Sequence, residues 1–244
     1  MDIPMEKLGK NEKIIFIHGA GGSSRSWYFQ KEYFKDSMEP ILIDLPGHGA
    51  DNCSKGCKTL ADYVDYIQKV IHEMGIDKCY VAGHSMGGAI TMSLAISFPD
   101  ILKGIILITT GAKLRIFPEI LNELKKDKEK AVKSIMDYTF SKKSPIILKE
   151  KGFKDMMKCK TEVIYDDFLA CEEFDITDSV NKIKVPALII CGNDDVLAPP
   201  EYSEFLHDRI KRSRLVAIND AGHMPILEKP VEINKAIHEW ILSH

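Results

Sequence analysis

Charge of one sign, long apolar runs and phosphate-cradling motifs are all missing from this 244-residue chain. Its 33 Lys and Arg nearly balance 36 Asp and Glu, a formal net charge of −3 that argues against a nucleic-acid partner. The one dense lysine run, Lys125-Lys126-Asp127-Lys128-Glu129-Lys130, has acids interleaved and reads as a solvated helix face. No stretch approaches the roughly 18 continuous apolar residues of a membrane span. The N-terminus lacks a charged region followed by an apolar one, so no membrane partner and a cytoplasmic location are expected. GxGxxG is absent, and no Lys-Ser/Thr pair closes a glycine-rich turn, so no nucleotide cofactor is expected. Cysteine is sparse, with six residues scattered along the chain. Cys79 and Cys191 fall in strand-like segments, where a thiol behaves as a small hydrophobe. Cys53 and Cys57 share a loop with no second Cys/His pair nearby, so free thiols are expected and no metal. No internal repeat or low-complexity segment is present.

What is there suits one globular domain, or one domain carrying an insertion: 45% of residues are hydrophobic and 28% charged. Apolar, β-rich runs recur at 14–17, 41–45, 79–82, 105–109, 187–191 and 215–218. Their near-continuous hydrophobicity implies strands covered on both faces, hence a parallel sheet. Helices fit between them: 60–74 opens at Thr59, a plausible N-cap, and stops at Gly75, while 199–210 and 231–242 follow prolines. The pattern is α/β, a doubly wound, mostly parallel sheet.

One interval breaks the alternation. About 70 residues separate the strand ending near Thr110 from the one beginning near Val185, far beyond an ordinary βα loop of roughly 2–6. Phe117, Ile120, Leu121 and Leu124 keep helical spacing, as do Val132, Ile135, Met136 and Thr139, and also Ile164, Phe168 and Cys171. The expected division is a core of 1–111 and 183–244 with a helical cap inserted at 112–182. Phe140, Phe153, Met156 and Phe168 are candidates to line a substrate pocket under that cap.

The strongest motif is Gly83-His84-Ser85-Met86-Gly87-Gly88, which joins the β-like run 79–82 to the apolar helical run 89–96. A turn that tight strains the serine backbone and tolerates only small residues two positions to either side, where Gly83 and Gly87 stand. The following helix N-terminus points positive partial charge at the serine. Ser85 is therefore the candidate nucleophile.

A serine hydroxyl needs a base to take its proton, and the base needs an acid to fix its tautomer. Of eight histidines, His223 alone sits in a loop just beyond the last strand, between Gly222 and Pro225. Strand-end loops of an open parallel sheet gather at its carboxyl edge, where Ser85 also lies. His223 is the candidate base. The acid is sought in the loop after 187–191, and there both Asp194 and Asp195 qualify by spacing. The tetrahedral intermediate needs two donors for its oxyanion. One is the backbone N–H of Met86; the other is expected from the glycine-rich loop His18-Gly19-Ala20-Gly21-Gly22. His18 and His84 are expected to support the site without taking part in the chemistry.

Together these motifs, with Asp44-Leu45-Pro46-Gly47-His48-Gly49 after the second strand, resemble the α/β-hydrolase superfamily over nearly the whole chain. The order Ser, Asp, His is also that family's. The resemblance selects Asp195 as the acid, since relatives read GxxDxxxP, and assigns the second oxyanion donor to Ala20, the residue after His-Gly. It implies the α/β-hydrolase fold with a helical cap. Few residues precede Ile14, so the first two of the family's usual eight strands are expected to be shortened or partly missing. Ser85 argues against epoxide hydrolases and haloalkane dehalogenases, which use aspartate there.

The chain looks most like small serine carboxylesterases, including the pimeloyl-ester and enol-lactone hydrolase relatives. The implied activity is hydrolysis of a small or medium carboxylic ester, with water as second substrate and no cofactor. A C–C hydrolase, thioesterase, haloperoxidase or lyase would read similarly, as would acyl transfer to an alcohol or a slow-turnover ligand sensor. Arg25 and Arg115 are candidates to bind a substrate carboxylate.

Overall fold

The computed structural model describes residues 8–9, 11–51 and 54–244. Six strands form one sheet: β1 (Lys13–Ile17), β2 (Glu39–Ile43), β3 (Cys79–His84), β4 (Leu102–Ile108), β5 (Ala187–Gly192) and β6 (Ser213–Ile218). Their spatial order is β2-β1-β3-β4-β5-β6, and every pairing between them is parallel. The described residues hold no strand ahead of Lys13, and the expectation about two earlier strands falls largely outside them.

Helices cover both faces, which is why the inner strands β1, β3, β4 and β5 are apolar at nearly every position. Between β1 and β2 comes α1 (Tyr28–Phe34); α2 (Leu60–Glu73) precedes β3 and α3 (Met86–Ser97) follows it. Ile15 and Ile17 of β1 pack with α2 and α3, including Tyr63, Ile67 and Ile90. Their neighbours Ile14 and Phe16 face the other way, onto Phe34 of α1 and Ile237 and Trp240 near the C-terminus. Successive strand residues point to opposite faces, so one run feeds two cores. Thr59 caps α2 by accepting from the Asp62 N–H, and Asp62 returns a bond to the Thr59 N–H, a box worth about 1 kcal/mol. Gly75, at φ +65°, then ends that helix.

Between β4 and β5 lie four helices: α4 (Pro118–Leu124), α5 (Lys128–Thr139), α6 (Ile146–Met156) and α7 (Thr161–Glu173). They share a core of their own, built around Ile120, Val132, Ile135, Met136, Phe140 and Ile164. The chain then closes with α8 (Pro200–Arg209), the single turn α9 (Pro225–Glu228) and α10 (Pro230–Leu242). No helix among the described residues is long and apolar enough to cross a membrane. Cys57, Cys79, Cys159, Cys171 and Cys191 are free thiols, while Cys53 lies outside the described residues.

Candidate active site

The carboxyl edge of the sheet is where the backbone is strained. Ser85, Thr109 and Asp220 have positive φ (53°, 45° and 55°), and each follows the end of a strand, β3, β4 or β6. Non-glycine residues adopt such angles only where surrounding contacts hold them, and strain of this kind gathers at functional sites. At Ser85 the contacts are an N–H bond to Ile108 O (3.0 Å) and a bond from Thr110 Oγ1 to Ser85 O (2.9 Å). The flanking glycines are required by space. A Cβ on Gly83 would lie 2.1 Å from Gly87 O, and one on Gly87 would lie 2.3 Å from Ile17 O. The result is a serine raised on a turn at the head of α3.

His223 reaches the same point from the loop after β6. Its Nδ1 lies 2.8 Å from Asp195 Oδ2. Asp195 is buried, and its other oxygen accepts the N–H groups of Leu197 (2.8 Å) and Ala198 (3.0 Å). A carboxylate so occupied leaves Nδ1 of His223 as donor and Nε2 free to accept. Asp194, the alternative left open by spacing, is exposed and takes the hydroxyl of Ser141 instead (2.6 Å). Ser85 and His223 line one cavity with Ala20, Leu114, Ile116 and Phe117. Among the described residues, the N–H groups of Ala20 and Met86 carry no hydrogen bond within the protein, so both remain available as donors.

Three more histidines surround this centre, and their partners fix their protonation. His18 lies against Gly19 O through Nδ1 (2.8 Å) and accepts the Leu45 N–H at Nε2 (3.1 Å), which makes it the neutral Nδ1–H form. His84 donates through Nε2 to His223 O (2.7 Å), an oxygen that Thr109 Oγ1 also reaches (3.0 Å). Burial lowers His18 to about 4 and His84 to about 3, with the neighbouring His48 and His223 rings adding to the effect. His48 is the opposite case. Both its nitrogens face acceptors, Pro46 O (3.0 Å) and the carboxylate of Asp167 (2.8 Å). Burial disfavours its charge, but the bond to Asp167, the nearby Cys159 sulfur and the carboxylate's negative charge together outweigh burial and raise it to about 10.

These shifts set a pH dependence of stability. His18 and His84 titrate near 6.5 when unfolded but near 4 and 3 when folded, so the unfolded chain binds more protons between those values. Their contribution is complete above pH 6.5 and is lost as pH falls toward 4 and then 3. His48 has a raised folded value, so its contribution is complete below 6.5 and is lost as pH rises through about 10. The thermal midpoint measured by calorimetry is expected to peak near pH 6.5 and to fall on both sides. For a chain of this size each 1 kcal/mol shifts the midpoint by about 2–4 °C. A midpoint that climbs steadily from pH 6.5 to 9 would contradict the His48 assignment.

The other candidate residues divide. Arg115 and Phe168 line the cavity that holds Ser85 and His223. Arg25 does not; it pairs at the surface with Asp155 (3.6 Å). Phe140, Phe153 and Met156 also lie off the cavity wall, because they pack into the core shared by the four inserted helices, Phe140 from just beyond the end of α5. Phe140 reaches the bare backbone of Gly152, and Met156 lies over Gly21.

Two carboxylates that sequence reasoning did not single out brace the site. Glu228 accepts the N–H groups of Gly222 (3.0 Å) and Met224 (3.0 Å), on either side of His223, and also that of Ser141 (3.0 Å). Asp167, on α7, is fully buried and accepts from Gly21 N (2.8 Å), His48 Nε2 (2.8 Å) and Tyr63 Oη (2.6 Å). Among the described residues no cluster of His, Cys, Asp and Glu is arranged to hold a metal ion.

Comparison with known proteins bears on the whole chain. The family described as Alpha/beta hydrolase family matches residues 14–236. The (E)-2-((N-methylformamido)methylene)succinate hydrolase of Acinetobacter baylyi is 27% identical, covering 96% of this chain and 91% of that protein. The pimeloyl-[acyl-carrier protein] methyl ester esterase of Legionella pneumophila is 25% identical, over 93% of this chain and 94% of its own. A solved thermophilic esterase superposes with a TM-score of 0.84 at 34% identity, covering 96% of this chain and 91% of that one.

Proposed function

The chain belongs to the alpha/beta hydrolase family, and from that premise we propose that it is a serine esterase, cleaving a small or medium carboxylic ester through an acyl-Ser85 intermediate. The observation that carries this reading is the convergence of three strand-end loops. Ser85 on its strained turn opens into the same cavity as His223, whose Nδ1 is 2.8 Å from the buried carboxylate of Asp195. The esterase named among the solved relatives, at 34% identity over 96% of the chain, supports an ester rather than another acyl compound.

In this mechanism Nε2 of His223 takes the proton of Ser85 Oγ as that oxygen attacks the ester carbonyl carbon. The carbonyl oxygen becomes an oxyanion between the N–H groups of Ala20 and Met86, reinforced by the N-terminus of α3. Asp195 stays ionised and offsets the imidazolium charge. The imidazolium then protonates the departing alkoxide, leaving acyl-Ser85. A water molecule, deprotonated by His223, repeats the attack and releases the acid.

The cap of 112–182 supplies Leu114, Ile116, Phe117 and Phe168 to the cavity and suits an apolar acyl or alcohol chain. Arg115 lines the same cavity, where it would favour an anionic group on the substrate.

The test is a fluorophosphonate probe followed by p-nitrophenyl esters from acetate to dodecanoate. One label on the peptide carrying Ser85 is expected, with turnover of about 1–10³ per second on the best short or medium ester. A protein that takes no label and turns over none of the esters is not a serine esterase.

A further inference from the structure

We propose that Asp167 is a positioning residue for the oxyanion hole, a carboxylate lent by the cap helix α7 to hold the loop that carries Ala20. The inference rests on the reading of Ala20 as an oxyanion donor. Loop 19–22 is a tight turn closed by the Gly22 N–H on Gly19 O (3.1 Å), with Ala20 and Gly21 as its central residues. Among the described residues, nothing in the core itself takes the Gly21 N–H. It runs instead to Asp167 Oδ2 (2.8 Å), 146 residues away in sequence. The peptide next to the donor is therefore fixed by the cap.

The rest of the carboxylate is fully engaged. His48 shares Oδ2 and Tyr63 Oη takes Oδ1, so the group is held from three sides with no solvent contact. His48 and Tyr63 belong to the core, one in the loop after β2 and the other on α2. Asp167 thus ties α7 to two core elements and to the donor loop at one point. The loop allows this closeness because Gly21, at φ +61°, presents no side chain; a Cβ there would lie 3.2 Å from Ile164 Cγ1 and from Met156 Cε. A hydrogen bond to a charged acceptor is short, strong and directional, which suits a peptide that must hold its orientation while charge develops beside it.

A donor loop left without this anchor binds substrate as before and fails when the oxyanion forms. Asp167→Ala removes the acceptor that holds the Gly21 N–H, which an asparagine oxygen could still accept. It is expected to lower kcat on p-nitrophenyl butyrate by roughly 10- to 100-fold with KM within about twofold, as for a modest displacement of a catalytic group. Affinity for a trifluoromethyl ketone, which forms an oxyanion on Ser85, should fall by the same factor as kcat/KM.

Because the substitution strands the buried His48 charge, the double variant His48→Gln/Asp167→Ala is measured beside it. It removes both charges and should show the same loss of kcat in a protein whose melting curve is cooperative. A folded single or double variant with wild-type kcat, or with a raised KM and unchanged inhibitor affinity, overturns the inference. Turnover that survives Ser85→Ala overturns instead the serine mechanism beneath it.

Discussion

Ser85→Ala is expected to reduce kcat on a short p-nitrophenyl ester by roughly 10⁴-fold or more, while the melting temperature stays within a few degrees of wild type. The two halves of that expectation have separate physical grounds. Removing Oγ removes the atom that forms the acyl bond, and His223 and Asp195 then have no proton to move, so their contribution disappears with it. What survives is the catalysis that binding and the oxyanion donors supply alone, a residue of about 10³–10⁴ over water in enzymes of this type.

Stability is little affected because the hydroxyl is not part of the fold. Among the described residues Ser85 is held by its backbone, through Ile108 O and Thr110 Oγ1, and its side chain makes no hydrogen bond. Alanine keeps the Cβ and the same φ of 53°. Kinetics and a thermal melt on one preparation separate the two halves. Wild-type turnover in the variant would remove Ser85 from the mechanism whatever the melt shows.

The inner sheet is legible in the sequence because its strands β1, β3, β4 and β5 are buried on both faces. Ile14 to Ile17 belong alternately to two cores, so the run is apolar throughout and cannot be mistaken for an amphipathic surface element. The elbow is legible for a steric reason, since a clash at 2.1 Å from a Cβ on Gly83 leaves little choice of residue there. Helix α6 is not legible. Its sequence IILKEKGFKDM has a glycine at its centre, and only Met156 is buried, so no apolar stripe marks it.

The bracing carboxylates are hidden more deeply. Asp167 is three residues past Ile164 and four before Cys171, so helical spacing puts it on the inner face with that stripe, but spacing says nothing of what it meets there. Its partners, Gly21, His48 and Tyr63, lie 146, 119 and 104 residues away, a meeting that only the folded topology arranges. Arg25 illustrates the reverse. Proximity to the oxyanion loop in sequence suggested a role in binding, but its side chain turns out toward Asp155.

The choice between the adjacent aspartates gives the second large expectation: Asp195→Asn should lower kcat by roughly 10⁴-fold, and Asp194→Asn by less than about threefold. The difference follows from what each oxygen holds. Oδ1 of Asp195 accepts two backbone N–H groups, from Leu197 and Ala198, while Oδ2 faces Nδ1 of His223. An asparagine has one acceptor oxygen and one donor nitrogen. Turning its oxygen toward the two N–H groups keeps the loop intact and presents the NH₂ to His223.

The ring must then accept at Nδ1 and carry its proton at Nε2, the nitrogen that has to take the serine proton. The variant folds with its base in the wrong tautomer, and its activity should recover partly at high pH, where Ser85 gives up its proton to hydroxide more readily. Asp194 is solvent-exposed and holds only the Ser141 hydroxyl, a bond that an amide oxygen can still accept. Steady-state kinetics of the two single variants across pH 6 to 10 decide the matter. Equal losses in both would mean that the loop as a whole, and not the carboxylate on His223, sustains the reaction.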